Sequence, residues 1–162
     1  MKVYHGSTIC VSEPKLLSAS RRLDFGSGFY TTTDLRQAKR WAQIKMRRSQ
    51  SEKAIVSIYD ANEVFAAKDL RIKCFATATE EWLDFVMLYR TGKIDQNVVY
   101  DVIHGPVAND TLYETLALYE RGILTHAETI VRLRAHKLAD QVVLATHRAL
   151  TLLHFVDYEK VS

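Results

Sequence analysis

Two hydrophobic periods alternate along the chain. Short apolar runs rich in β-branched and aromatic residues predict strands over 2–6, 29–32, 54–59, 98–103, 141–145 and 155–159. Between them, apolar residues three and four apart predict helices. One starts after Asp34, an N-cap residue with Gln37 three places on, and sets Leu35, Ala38, Trp41, Ala42 and Met46 near one face. A second is capped within Thr77-Ala78-Thr79-Glu80, groups Trp82, Phe85, Val86 and Tyr89, and stops at Gly92. Two more, over 110–121 and 125–137, split at Gly122, and a short Leu-rich helix precedes the last strand. Pro14 breaks the segment 11–24, where Leu16 and Leu17 form a short helical turn, and Asp24-Phe25-Gly26-Ser27-Gly28 is a loop. Strands and helices mix without a βαβ rhythm, so the expected class is α+β rather than a doubly wound sheet.

Composition narrows this further. The 162 residues make one domain, 1–162, and 48% hydrophobic with 25% charged residues is the balance of a folded core rather than a disordered chain. No apolar run approaches the roughly 18 residues of a membrane span, and no signal-type apolar block follows Met1-Lys2-Val3-Tyr4-His5-Gly6. Cys10 and Cys74 cannot build a disulfide framework or a cysteine-rich metal site. The expectation is a cytoplasmic protein without membrane or metal. Net charge is +3, and the one concentrated feature is Arg36 to Arg48, with six basic residues and no acid. That stretch reads as a solvated helix face, or as a surface for an anionic partner.

Phosphate loops, GxGxxG, HExxH and GxSxG are absent from the sequence. His147 and His154 are seven apart, a spacing of packing and helix surface rather than ligation. Cys74 sits in an apolar stretch and reads as structural. Three segments stand out together. They are Tyr4-His5-Gly6-Ser7, then Gly26-Ser27-Gly28-Phe29-Tyr30-Thr31-Thr32, then Asp140-Gln141-Val142-Val143-Leu144. Their order resembles the ADP-ribosyltransferase superfamily, in the branch of the poly(ADP-ribose) polymerases. Trp41, eleven residues after Tyr30, matches that branch's second stacking aromatic. More closely, the chain resembles the small, mostly bacterial domain-of-unknown-function family 3990, often found in toxin–antitoxin loci. The shared segments include Glu81-Trp82-Leu83-Asp84-Phe85-Val86, Tyr100-Asp101-Val102, Gly105-Pro106-Val107-Ala108-Asn109-Asp110 and Asp140-Gln141.

The resemblance implies an ADP-ribosyltransferase-like split mixed β-core of two facing sheets, with surrounding helices and a cleft in which His5, Tyr30 and Gln141 converge. It implies NAD+ as co-substrate. The backbone of Gly6 and the hydroxyl of Ser7 would hold the nicotinamide amide, and His5 the adenosine-side ribose. Tyr30 and Trp41 would stack on the nicotinamide ring, Gly28 lies in the binding loop, and Arg21 or Arg22 would reach the pyrophosphate. One position departs from the family pattern: Gln141 stands where the polymerases carry Glu. An amide can bind a ribose hydroxyl but cannot take a proton. Chain elongation is therefore not expected. The reading is a mono-ADP-ribosyltransferase, the toxin of a toxin–antitoxin pair, acting on a protein or nucleic-acid acceptor with an antitoxin as partner. An NAD+ glycohydrolase and a non-catalytic NAD or ADP-ribose binding module are the alternatives.

Overall fold

The structure, a computed structural model, describes residues 1–16, 24–93, 99–107, 110–136 and 138–161, with the backbone alone at 110–112. Its elements run β1 (Lys2–Ser7), β2 (Phe29–Thr31), α1 (Leu35–Arg48), β3 (Ala54–Asp60), α2 (Asn62–Ala66), β4 (Ile72–Cys74) and α3 (Glu80–Thr91), then β5 (Val102–Pro106), α4 (Asp110–Glu120), α5 (His126–Arg134), β6 (Asp140–Leu144), α6 (His147–Thr151) and β7 (His154–Val161). The class is α+β, as the sequence predicts.

The strands form two sheets, of order β1-β3-β7 and β2-β6-β5-β4. All pairings are antiparallel except β4 with β5, so the core is mixed. The sheets meet at one seam, where Tyr4 and Thr32 exchange backbone bonds of 2.8 and 3.0 Å. Three apolar clusters then stack the layers. Ala38 and Ala42 of α1 pack on Ala54 and Val56 of β3. Val3 and Tyr59 of the first sheet face Phe29, Val102, Val142 and Leu144 of the second. Val143 and Ile103, on the other face of the second sheet, pack on Trp82, Leu83 and Val86 of α3, Leu116 of α4 and Ile130 and Leu133 of α5. The order is therefore helix, sheet, sheet, helices.

Local sequence sets most boundaries. Asp34 caps α1 by accepting from Arg36 N at 2.9 Å, and Thr79 caps α3 by accepting from Trp82 N at 3.3 Å. The two-way capping box falls elsewhere, between Thr125 and Glu128 of α5. Gly92 ends α3 at φ 71°, a conformation that favours glycine. Two expectations need correcting, and two short elements are added. The strand expected over 98–103 begins at Val102. The Asp101 carboxylate accepts from Arg71 N at 2.8 Å and from the Thr146 hydroxyl at 2.7 Å, which turns the chain before the ladder starts. The short elements β4 and α2 were not expected at all. The inner faces of the two sheets enclose an apolar core rather than a cleft.

Candidate functional site

β2 and β6 bring two of the expected residues together. Tyr30 lies directly opposite Val143, and Gln141 lies two residues before Val143 on the same strand. Side chains alternate faces along a strand, so Tyr30, Val143 and Gln141 share one face, the one covered by α3. Gln141 is only 2% exposed, and its amide Nε2 has no hydrogen-bond partner among the described residues. A ligand reaches this amide only if what covers it moves. Tyr30 packs against the α3 cluster, and its hydroxyl donates to the Gly26 carbonyl at 2.6 Å. Burial pushes the phenol far above its ordinary pKa, so Tyr30 stays neutral.

His5 takes a different place from the expected one. Its ring stacks on Phe29 at 4.5 Å, and Phe29 leaves β2 on the face opposite to Tyr30. The three side chains therefore do not converge on one cleft. His5 meets Tyr30 through the main chain instead, with Nδ1 at 2.6 Å from the Tyr30 carbonyl. A carbonyl only accepts, so Nδ1 carries the proton. Burial, helped by the nearby Lys45 charge, lowers the imidazole to about 4. His5 is therefore neutral at physiological pH, and its Nε2 is an acceptor.

Gly6 follows on β1. Tyr4 turns its backbone bonds toward Thr32, and backbone groups alternate sides along an antiparallel strand, so the Gly6 N–H and C=O also point away from β3. The Lys45 ammonium of α1 donates to that carbonyl at 2.7 Å, and burial lowers the lysine pKa. A Cβ on Gly6 would lie 2.2 Å from the Ala38 carbonyl oxygen, so glycine is what lets α1 lie against β1 here. Ser7 ends the strand, half-buried. Gly28 has a packing role. A Cβ there would lie 2.6 Å from Val143 Cγ1 and 2.8 Å from the Leu144 carbonyl oxygen. Trp41 is half-buried on the flank of α1 and pairs with no other ring among the described residues. Arg21 and Arg22 lie outside the described residues, as do Leu17, Val98, Ala108 and Asn109.

Asp140, which no sequence motif assigns a role, holds this place together. The Asp140 carboxylate accepts from the Thr32 hydroxyl (2.9 Å), the Thr33 N–H (3.0 Å), the Thr33 hydroxyl (2.8 Å) and His104 Nε2 (2.7 Å). It ties the end of β2, the start of β6 and β5 into one point, next to Gln141. Burial alone would raise its pKa, but His104, Thr33 and Thr32 hold it down to about 2. The run of threonines before the Asp34 cap was the only sequence signal for such a clamp. The sign of the pH effect follows. A carboxyl depressed from 3.8 to about 2 adds stability that is complete above the unfolded value and is lost as pH falls through about 2. Urea midpoints at neutral pH and at pH near 2 should therefore differ more for the wild type than for Asp140→Asn. An equal acid loss in both would refute the clamp.

Among the described residues no group of three or more His, Cys, Asp or Glu could hold a metal ion, and no helix is long and apolar enough to cross a membrane. Cys10 and Cys74 are free thiols, and burial raises that of Cys74.

The chain is thus a mixed two-sheet α+β domain with a buried amide on its β2–β6 ladder. The model of the family described as "Protein of unknown function (DUF3990)" matches residues 1–155, and the chain belongs to that family. No curated protein and no solved structure matches the chain.

Proposed function

We propose that the chain is an ADP-ribosyltransferase-like protein that binds NAD+ and transfers a single ADP-ribose unit to a protein or nucleic-acid acceptor. The observation that carries this reading is the Gln141 amide, buried on the face it shares with Tyr30 and without a hydrogen-bond partner among the described residues. A buried, unsatisfied N–H costs about 1–3 kcal/mol, and a ligand hydroxyl would recover part of that cost. The resemblance of the His5-Gly6, Tyr30 and Gln141 segments to the polymerase branch supplies the ligand: the nicotinamide-side ribose of NAD+.

In this reading the carboxamide pairs with the Gly6 N–H and C=O in place of Lys45 Nζ, Tyr30 stacks on the nicotinamide ring, and Gln141 orients the sugar. Trp41 would close the other side of the ring. The neutral His5 Nε2 accepts from a ribose hydroxyl of the adenosine half. The bond between the ribose C1′ and the nicotinamide nitrogen breaks, nicotinamide leaves with the electron pair, and the acceptor nucleophile bonds C1′. Gln141 takes no proton, so the acceptor must already be nucleophilic, or be water in the glycohydrolase alternative. A toxin with a cytoplasmic target and a neutralising antitoxin is the setting that the resemblance suggests.

One observation favours a second reading. His5 lies on the far side of β2 from Tyr30, and Gln141 is an amide, so an NAD- or ADP-ribose-binding module without turnover fits the same residues. Incubation with NAD+ separates the two. The transferase reading expects free nicotinamide, with label from adenine-labelled NAD+ appearing on protein or nucleic acid of a cell extract. Saturable NAD+ binding with no nicotinamide released would leave the binding module standing.

A further inference from the structure

We propose that the outer face of α1 is a docking surface for the phosphate backbone of duplex DNA. This inference is independent of the NAD+ reading. At about 100° per residue, Arg36, Arg40 and Arg47 fall within about 40° of one another around the helix, diametrically opposite Ala38 and Ala42, which pack on the first sheet. All three are exposed, as is Arg48.

The other two basic residues of the helix are committed elsewhere. Lys39 binds Glu159 at 2.6 Å, and Lys45 binds the Gly6 carbonyl. Of the four arginines, Arg36 has one carboxylate nearby, Asp34 at 3.7 Å, and Arg47 Nε donates to the Gln43 carbonyl at 3.3 Å. Arg40 and Arg48 have no ion-pair partner among the described residues.

The chemistry of the face selects among polyanions. A protein partner would need apolar or aromatic anchors at the centre of its interface. None of the exposed large apolar residues lies on α1. A single strand would need aromatic platforms for its bases, and the only aromatic of α1, Trp41, is half-buried and about 100° round the helix from Arg40. A stripe of positive charge with nothing else to offer fits a duplex backbone. From Arg36 to Arg47 the helix rises about 16 Å, close to five base-pair steps at about 3.4 Å. A helix about 10–12 Å across matches the roughly 12 Å major groove of B-DNA, whereas the A-form RNA groove is too narrow for it.

Counterion release makes the test quantitative. Each phosphate neutralised contributes about 0.9 to the slope of log affinity against log salt for B-DNA. A fluorescein-labelled random duplex of about 20 base pairs is titrated with the full chain from about 50 to 200 mM salt. The triple variant R36Q/R40Q/R47Q should fold as the wild type does, weaken binding at every salt concentration, and lower the slope by about 2.7, three times 0.9. A control, K68Q/R121Q/R134Q, removes the same charge from other exposed positions and should keep the wild-type slope. Equal slopes for R36Q/R40Q/R47Q and the wild type would overturn the proposal. So would equal weakening by the control, or tighter binding of a single strand, of duplex RNA or of polyglutamate than of duplex DNA.

Discussion

Gln141→Met should lower nicotinamide release from NAD+ by roughly ten- to a hundredfold while leaving the protein as stable as the wild type, or more so. The two effects are expected to move in opposite directions, and that divides function from structure. Methionine is close to glutamine in volume and has no amide. Because the wild-type Nε2 is buried and has no partner among the described residues, its removal relieves a desolvation cost of about 1–3 kcal/mol. At about 2–4 °C per kcal/mol for a domain of this size, Tm should hold or rise by a few degrees. Turnover is expected to fall because the proposed hydrogen bond to the ribose is lost, and tenfold in rate is about 1.4 kcal/mol. Gln141→Glu should do the reverse. A carboxylate costs stability in that buried place, yet it should keep or raise turnover by placing negative charge beside the developing cation. If Gln141→Met destabilises the fold and leaves nicotinamide release unchanged, the amide is a structural element and the site lies elsewhere.

The largest effect on stability is expected at Trp82. It is fully buried in the cluster between the second sheet and the helices, and its indole Nε1 donates to the Pro106 carbonyl at 3.1 Å. Pro106 is opposite Asp140 on the β5–β6 ladder, so this one side chain joins α3 to β5, the neighbour of the strand that carries Gln141. Trp82→Ala empties the centre of the cluster and orphans a buried carbonyl. The cost should be about 3–5 kcal/mol, a Tm fall of roughly 6–20 °C. Trp82→Phe keeps most of the apolar area and loses the hydrogen bond, so it should cost distinctly less. Urea denaturation of the two variants checks the order. A loss under about 1 kcal/mol for Trp82→Ala would mean that α3 does not close this face.

Elements with a strong period and a chemical stop were legible in the sequence. α1 carries its cap at Asp34 and its buried stripe at Ala38 and Ala42, and α3 has Thr79 at one end and Gly92 at the other. Elements held by tertiary contacts alone were not. β4 is three residues long, and the Ala61 that precedes α2 makes no side-chain cap bond. The site divides in the same way. Tyr30 and Gln141 were named on resemblance, and their common face follows from the β2–β6 register, a pairing across more than a hundred residues that no local pattern encodes. The Asp140 clamp reaches His104 thirty-six residues back in the chain and Thr32 on another strand. His5 was expected on the wrong side because strand alternation fixes a side chain only relative to its own sheet. β1 and β2 belong to different sheets, whose backbones pair at Tyr4 and Thr32.

NAD+ is expected to sit between the Gly6 edge of β1 and the face of Tyr30 and Gln141. Titration of the 15N-labelled full chain with NAD+, followed by amide NMR, reads this directly. Saturable shifts are expected at the Gly6 backbone amide and the Gln141 side-chain amide, with matching affinities, and loss of both in Tyr30→Ala. Shifts confined to other surfaces, such as the cavity of about 360 Å³ between α4 and α5 lined by Glu114, Leu118, Arg132 and His136, would contradict it. So would no shift at saturating NAD+.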